Sequence, residues 1–277
     1  MKTIDEGVLY TFITKHWWNY GTAINEIDDD TLTKLLSLHE HHTRSMVDFY
    51  SWVARIKLVK KQRKNRCGWV SHLLNEEKYD EALEFDNILK QQDIDPREFF
   101  KAIHSILQEE DPKINTIWIV GVPNSGKTMI TSLIASCFVS GYMSSAGSLS
   151  DFYYEPLQDS SFAVFEEPFC SPSVIEDMKS ILAGGLISIG KKHSSKIPLI
   201  RTPIMMTGNY DNLSRGFAPP ISEIAIRKRC FIFHFKNEVI PTLKITREGF
   251  ITWYHVQTRE FCKCEAAYSE DESSSWL

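Results

Sequence analysis

No window of about twenty consecutive apolar residues occurs in the chain, so it holds no candidate membrane-spanning helix. The first residues carry acids at Asp5 and Glu6 and no long apolar stretch, which does not read as a secretory signal peptide. Cysteine is sparse and scattered, at Cys67, Cys137, Cys170, Cys230, Cys262 and Cys264. Cys137 falls on an apolar helix face and Cys230 opens an apolar strand, both core positions. Cys262 and Cys264 are too close for an ordinary metal pair and lack a second half-site, so free thiols in a reducing compartment are expected. Positive charge is not in excess either. Lys and Arg number 31 against 36 Asp and Glu, for a net charge of −5, so any nucleic-acid contact must come from local patches. Internal repeats are absent, and the one biased stretch is a polar, acidic tail, residues 269–277, expected to be disordered. Apolar residues are not lacking. At 43% of 277 residues they suffice for one large domain, or a domain plus a smaller one.

The stretch that organises the rest is GVPNSGKT, Gly121 to Thr128, which fits the phosphate-loop pattern G-x-x-x-x-G-K-S/T at every fixed position. An apolar run of strand type, Thr116 to Val120, precedes it. After it, Met129, Ile130, Leu133, Ile134, Cys137 and Phe138 recur at helical spacing. Strand, glycine turn and helix together suit a nucleotide site. Gly121 and Gly126 would let backbone N–H groups approach phosphate oxygens, and Pro123, Asn124 and Ser125 complete the loop. The helix start adds unpaired N–H groups and a favourable dipole. Lys127 would sit on the β- and γ-phosphates of ATP, and Thr128 would hold Mg²⁺ through its hydroxyl.

A partner for such a loop follows. Gly141 to Gly147 reads as a small-residue loop, and Phe162 to Phe165 as a strand running into Glu166 and Glu167. One carboxylate would anchor the metal and the other would polarise the attacking water: Glu166 is assigned to metal and Glu167 to water. Adjacent strand residues point to opposite faces, so this division requires the strand to end there. Ser171 and Pro172 start a helix that Gly184 and Gly185 stop. Leu186 to Ile189 and Ile197 to Ile200 then read as a hairpin whose tip carries Gly190, Lys191, Lys192, His193, Ser194, Ser195 and Lys196, a basic tip suited to a nucleic-acid backbone. Ile204 to Thr207 is a further apolar strand, ending at Gly208 and Asn209, where a polar side chain can orient the attacking water. Arg227, Lys228 and Arg229 precede the strand Cys230 to Phe235, and an arginine here could reach a neighbouring subunit's nucleotide.

The N-terminal third reads as helical. Tyr10, Phe12, Trp17, Trp18 and Tyr20 form a packing patch, and Thr31 to Leu58 has helical apolar spacing. Replication nickases hold a metal with a His-hydrophobic-His pair. Here Glu40 stands between His39 and His41 in a helical context, so these histidines and His42 read as a solvated face, and Tyr50 receives no catalytic role. The basic cluster Arg55, Lys57, Lys60, Lys61, Arg63, Lys64 and Arg66 fits a solvated helix face, a nuclear import signal or a phosphate-contacting patch. Trp69 to Lys90 reads as one more helix. Pro96 pushes Asp95 out of helical geometry and marks a boundary, before a short helix, Arg97 to Gln108.

The order of NTIWIVGVPNSGKT, FAVFEEP, KSILAGGLISIGKKHSSK, TPIMMTGN and IRKRCFIFHF resembles the superfamily-3 helicases of small DNA viruses. The double acid and TPIMMTGN are most similar to the parvoviral non-structural replication protein, densovirus forms included. ISIGKKH is also similar to the hairpin of the papillomavirus replicative helicase. The resemblance covers roughly residues 95–240. It implies an α/β fold with an AAA+-type P-loop ATPase core, a central and mostly parallel sheet flanked by helices. It implies a hexameric homo-oligomeric ring that uses ATP and Mg²⁺, moves 3′ to 5′ on single-stranded DNA, and serves viral DNA replication in the host nucleus. By motif position it puts ATP on Gly126, Lys127 and Thr128, catalysis on Glu166 and Glu167, the sensor role on Asn209, the arginine finger on Arg229 and DNA contact on Lys192 and His193. Gly190 replaces the usual hairpin aspartate, and Ser194 a lysine frequent in parvoviral hairpins; both weaken the expected DNA grip. The parvoviral proteins usually begin with a nicking nuclease, whereas the stretch of about 95 residues here has no metal-binding His pair. The expected organisation is a helical N-terminal region for oligomerisation or DNA contact (1–94), a helicase domain (95–268) and the acidic tail (269–277). Two alternatives stay open: a P-loop ATPase for DNA packaging or remodelling, and an inactive domesticated viral scaffold protein.

Overall fold

The computed structural model describes residues 55–144, 154–185, 187–191 and 194–274. The expected helix at Thr31 to Leu58 lies almost wholly outside the described residues, as do the three histidines and Tyr50. A helical segment at 55–64 leads into helices α1 (Arg66–His72), α2 (Tyr79–Gln91) and α3 (Pro96–Gln108). The single helix expected from Trp69 to Lys90 is therefore two, parted at 73–78. Asp95 caps α3, its carboxylate accepting from Arg97 N at 2.9 Å, with Pro96 in the first turn, where its missing N–H costs nothing.

Five parallel strands follow, β1 (Thr116–Gly121), β2 (Ser140–Ser144), β3 (Phe162–Glu166), β6 (Ile204–Gly208) and β7 (Cys230–Phe235), in the order β2-β3-β6-β1-β7. Two further strands, β4 (Ser188–Lys191) and β5 (Ser194–Pro198), make a separate antiparallel hairpin. The helices between them are α4 (Lys127–Ala135), α5 (Glu155–Gln158), α6 (Ile175–Leu182) and α7 (Pro220–Arg227), and α8 (Arg247–Ser274) closes the described chain.

The three inner strands β1, β3 and β6 are mostly apolar and buried along nearly their whole length, as strands covered on both faces are. Alternation divides the sheet's side chains between two cores. Ile117, Ile119, Phe162, Val164, Met205 and Phe235 pack with residues of α1–α4 and α8. Trp118, Val120, Ala163, Phe165, Ile204 and Met206 pack with α6 and Ile226 of α7. The first core runs from Leu58 to Tyr254 and crosses the Asp93–Pro96 junction without a break. Its centre is aromatic, with Phe85 of α2 lying 4.6 Å from Trp253 and 5.5 Å from Phe250 between ring centroids.

Three further expectations change. Gly141 lies in strand β2 rather than in a loop. A Cβ there would lie 2.3 Å from Pro156 O, so its smallness serves strand packing, not turning. Helix α8 continues to Ser274, past the Ser269 where a disordered tail was expected. The basic cluster is divided by residue type. Arg66 is 3% exposed and donates to Ser161 O at 3.0 Å and Arg201 O at 3.2 Å, and it pairs with Glu109 at 2.7 Å. Arg63 donates to Ser160 O at 2.5 Å and Arg55 to Asp159 O at 2.9 Å. The guanidinium forks satisfy carbonyls just ahead of β3 and β6, while Lys57, Lys60, Lys61 and Lys64 stay on the surface.

Candidate nucleotide site at the carboxyl edge of the sheet

Parallel strands share one carboxyl edge, and loops there are where ligands of open α/β sheets bind. The glycine-rich loop leaves β1 at this edge, Glu166 and Glu167 end β3, and Asn209 follows β6. Because β6 lies between β3 and β1, Asn209 stands between the acids and the loop.

The two loop glycines do different work. Gly126 has φ +89 and caps α4, a left-handed conformation that side chains disfavour. A Cβ on Gly121 would lie 2.0 Å from Phe235 O, and Val122 N donates to that same oxygen at 3.1 Å. Gly121 is thus required by the close approach of the neighbouring strand β7, a constraint the motif does not reveal. Asn124 also has positive φ, +57, and Ser125 Oγ donates to Val122 O at 2.7 Å.

Lys127 is 9% exposed, and its ammonium donates to Gly121 O at 2.8 Å, Val122 O at 2.6 Å and Ser125 Oγ at 3.4 Å. Burial lowers its pKa, and the charge of Glu167 raises it in part. Thr128 is exposed on the first turn of α4. Beside the loop is a cavity of about 590 Å³, walled by Asn124 to Met129 on one side and by Glu238, Val239, Ile240 and Pro241 on the other. Ile240 is 88% exposed there.

The strand breaks between the two acids. β3 ends at Glu166, which pairs in register with Thr207. Glu167 then turns to φ +45, so strand alternation no longer applies to its side chain. Its N–H donates to Thr207 O at 2.8 Å, and Asn209 Nδ2 donates to its Oε1 at 2.7 Å. Glu166, Glu167 and Asn209 are exposed to solvent.

Arg229 does not join this group. It precedes β7, whose start is level with Thr116 and whose end is level with Gly121, so it lies at the opposite edge of the sheet. The side chain is half-buried, with Nη1 donating to Ala225 O and Nε buried without a hydrogen-bond partner among the described residues. In the hairpin, Lys191 ends β4 and pairs with Ser194. Lys192 and His193 fall between them, outside the described residues. The residues on which the motifs are silent are Gln92 and Asn237, which flank the loop from 145 positions apart in sequence.

Oxygen donors dominate the set, with the Thr128 hydroxyl and two carboxylates. No group of three or more His, Cys, Asp or Glu suited to a metal occurs among the described residues. Such a set fits Mg²⁺, which takes few protein ligands and relies on phosphate oxygens and water.

A family model described as "Parvovirus non-structural protein NS1" matches residues 56–261. The chain belongs to that family. This places it among the superfamily-3 helicases of small DNA viruses, as the motif order implied. Curated relatives are the "Replication protein E1" of Human papillomavirus 66, 25% identical over 65% of this chain and 28% of the relative, and that of European elk papillomavirus, 32% identical over 45% and 21%. That of Human papillomavirus 15 is 22% identical over 92% of this chain and 42% of the relative. The chain thus spans less than half the length of these relatives. The fold is similar to that of JCV helicase, with a TM-score of 0.54 at 12% identity over 85% of this chain and 78% of that one, and of 0.53 at 11% over 86% and 79% in a second structure. The AAA+-type core expected from the motifs is therefore the observed fold. No helix of the described residues is long and apolar enough to cross a membrane.

Proposed function

We propose that this chain is an ATP-driven DNA helicase motor of viral DNA replication, acting as a homo-oligomeric ring, a hexamer by family likeness, that moves 3′ to 5′ on single-stranded DNA in the host nucleus. The observation that carries this reading is the meeting of Lys127, Glu166, Glu167 and Asn209 at one sheet edge, beside a cavity of about 590 Å³.

Lys127 leaves the carbonyls of Gly121 and Val122 for the β- and γ-phosphates, and the loop N–H groups from Asn124 to Thr128 hold the remaining oxygens. Thr128 and Glu166 would hold Mg²⁺, which when bound would neutralise charge on the phosphates. Glu167 takes a proton from the water that attacks the γ-phosphorus, as the bond to the bridging oxygen of ADP breaks. Asn209 fixes the Glu167 carboxylate through its 2.7 Å bond and reports the state of the phosphate to β6. Lys191, Lys192 and His193 touch the DNA backbone from the β4–β5 hairpin, and residues 1–94 serve assembly or DNA contact, with 55–94 packed on the motor.

The test is the steady-state ATPase rate of the purified chain with and without single-stranded DNA. Hydrolysis stimulated by DNA is expected. Hydrolysis indifferent to DNA would favour a packaging or remodelling ATPase, and no hydrolysis a scaffold.

A further inference from the structure

Helix α2 is bonded at three levels to the segment 237–246, which carries the cavity wall Glu238–Pro241. Near its start, Thr246 N and Oγ1 donate to Glu81 Oε2, both at 2.6 Å. One turn on, Thr242 N and Oγ1 donate to the two carboxylate oxygens of Glu84 at 2.6 and 2.8 Å. At its end stands Gln92, 1% exposed. Gln92 Oε1 accepts from Asn237 N at 2.9 Å, and its Nε2 donates to Asn237 O at 2.7 Å and to Ser125 O at 3.4 Å. The side chain behaves as an inserted peptide unit, pairing both backbone groups of one residue while its second N–H reaches the glycine-rich loop. Two contacts close the frame. Asn237 Nδ2 donates to Gln91 O at 2.6 Å, and Val239 N donates to Asn124 O at 3.0 Å. Ile88 of α2 is the neighbour facing Gly126, where an added Cβ would lie 3.8 Å from Ile88 Cγ2.

We propose that Gln92 is a positioning residue for nucleotide binding: through Asn237, it fixes the glycine-rich loop and the adjoining 238–241 wall relative to each other, so that the cavity has its binding shape before the nucleotide arrives. This rests on the ATP-site reading above. A loop held at Asn124 and Ser125 loses little freedom on binding, and a loop released at Ser125 must be ordered by the ligand. Gln92 touches no reacting atom, so the effect belongs to affinity and not to the chemical step.

The experiment measures ATP affinity and kcat on the whole chain for wild type, Gln92→Ala and Gln62→Ala. Gln62 is a matched control, fully buried, with Oε1 accepting from Val139 N at 2.9 Å and from Ser161 Oγ. Those partners precede β2 and β3, at the edge of the sheet away from the loop. For Gln92→Ala the Kd for ATP should rise roughly tenfold, with kcat at saturating ATP changed by less than about twofold, the scale expected when a buried acceptor loses its donor. Gln62→Ala should lower the thermal midpoint and leave Kd alone. Gln92→Glu keeps the volume and the acceptor for Asn237 N but sets a carboxylate oxygen against Asn237 O and Ser125 O, so its Kd should rise at least as far. This variant decides the matter if the alanine chain does not fold. A Kd for Gln92→Glu within about twofold of wild type would overturn the proposal. A wild-type chain that binds no ATP overturns the ATP-site reading itself, and the proposal with it.

Discussion

Lys127 shows how a single side chain can be held ready by the loop it serves. Its ammonium is desolvated, yet three oxygens of the same loop surround it, which offsets the cost of burying a charge. Of those partners Val122 is open to solvent and Gly121 half-buried, and the buried Ser125 Oγ keeps its own bond to Val122 O at 2.7 Å. Removing the ammonium therefore strands little. Lys127→Ala is expected to abolish ATP hydrolysis while shifting stability without nucleotide by less than about 1 kcal/mol. A thermal melt and an ATPase assay on the same preparation check both halves, and a variant that hydrolyses ATP at the normal rate would remove Lys127 from the site. The same scale separates arginine from lysine in the basic cluster. Sequence shows seven cations in a row of helical spacing, and nothing in their order tells which turn inward. The planar fork of Arg55, Arg63 and Arg66 can satisfy carbonyls at the start of strands, and the point charge of lysine is better hydrated outside.

At the scale of elements, α2 acts as a rail for the segment after β7. Glu84 is one of its fastenings. Burial pushes the Glu84 carboxyl pKa up, but hydrogen bonds from the Thr242 N–H and hydroxyl, from Asn87 and from the Leu243 N–H outweigh it, and the pKa falls below its ordinary value of 4.5. A carboxylate depressed in the fold contributes stability above its unfolded pKa and loses it as pH falls through the folded one. Glu84→Gln should therefore lower the melting temperature at neutral pH by about 4 °C, and the gap to wild type should close as the pH drops through the range below 4.5. A gap that is constant with pH would mean the carboxylate charge adds nothing. The hairpin is the other element with a stated task. Lys192→Ala is expected to weaken single-stranded DNA binding for all sequences alike and to flatten the salt dependence by a slope of about 0.7 per lost contact. An unchanged slope would take Lys192 off the DNA path. Strands β1, β3 and β6 were legible at this scale, because each apolar run ends at a glycine or an acid on the carboxyl edge: Val120 before Gly121, Phe165 before Glu166, Thr207 before Gly208 and Asn209. The rail was not. Gln92 meets Asn237 across 145 residues, and a buried glutamine on an otherwise polar helix end carries no pattern that points to its partner. The loop predicted at Gly141 failed for a related reason, since a glycine needed for close packing looks the same in sequence as one needed for a turn.

For the whole molecule, the sheet itself sets the question of how many copies make one site. β7 runs parallel to β1 with Cys230 level with Thr116 and Phe235 level with Gly121. At about 3.3 Å per residue, Arg229 lies roughly 20 Å along the sheet from the end of β7 beside the loop, further than its side chain extends. Arg229 therefore cannot serve its own chain's Lys127. Helix α7, which leads into it, exposes Ile221 (70%) and Ile224 (49%), an apolar face of the kind through which copies associate. The proposed ring lets that face carry Arg229 to a neighbour's cavity, where an arginine finger in trans is worth about 10³-fold or more in rate. The competing account keeps Arg229 at home, capping α7 through its bond to Ala225 O. Mixing separates the two. Arg229→Ala and Lys127→Ala proteins are each expected to be inactive alone, and Arg229→Lys to be impaired as well, because lysine keeps the charge and loses the planar fork. In a mixed ring, some interfaces join an intact Lys127 to an intact Arg229, so part of the ATPase should return. If mixing under conditions of subunit exchange restores nothing, and sedimentation with ATP and DNA shows only monomers, the shared site is wrong and Arg229 is a helix cap.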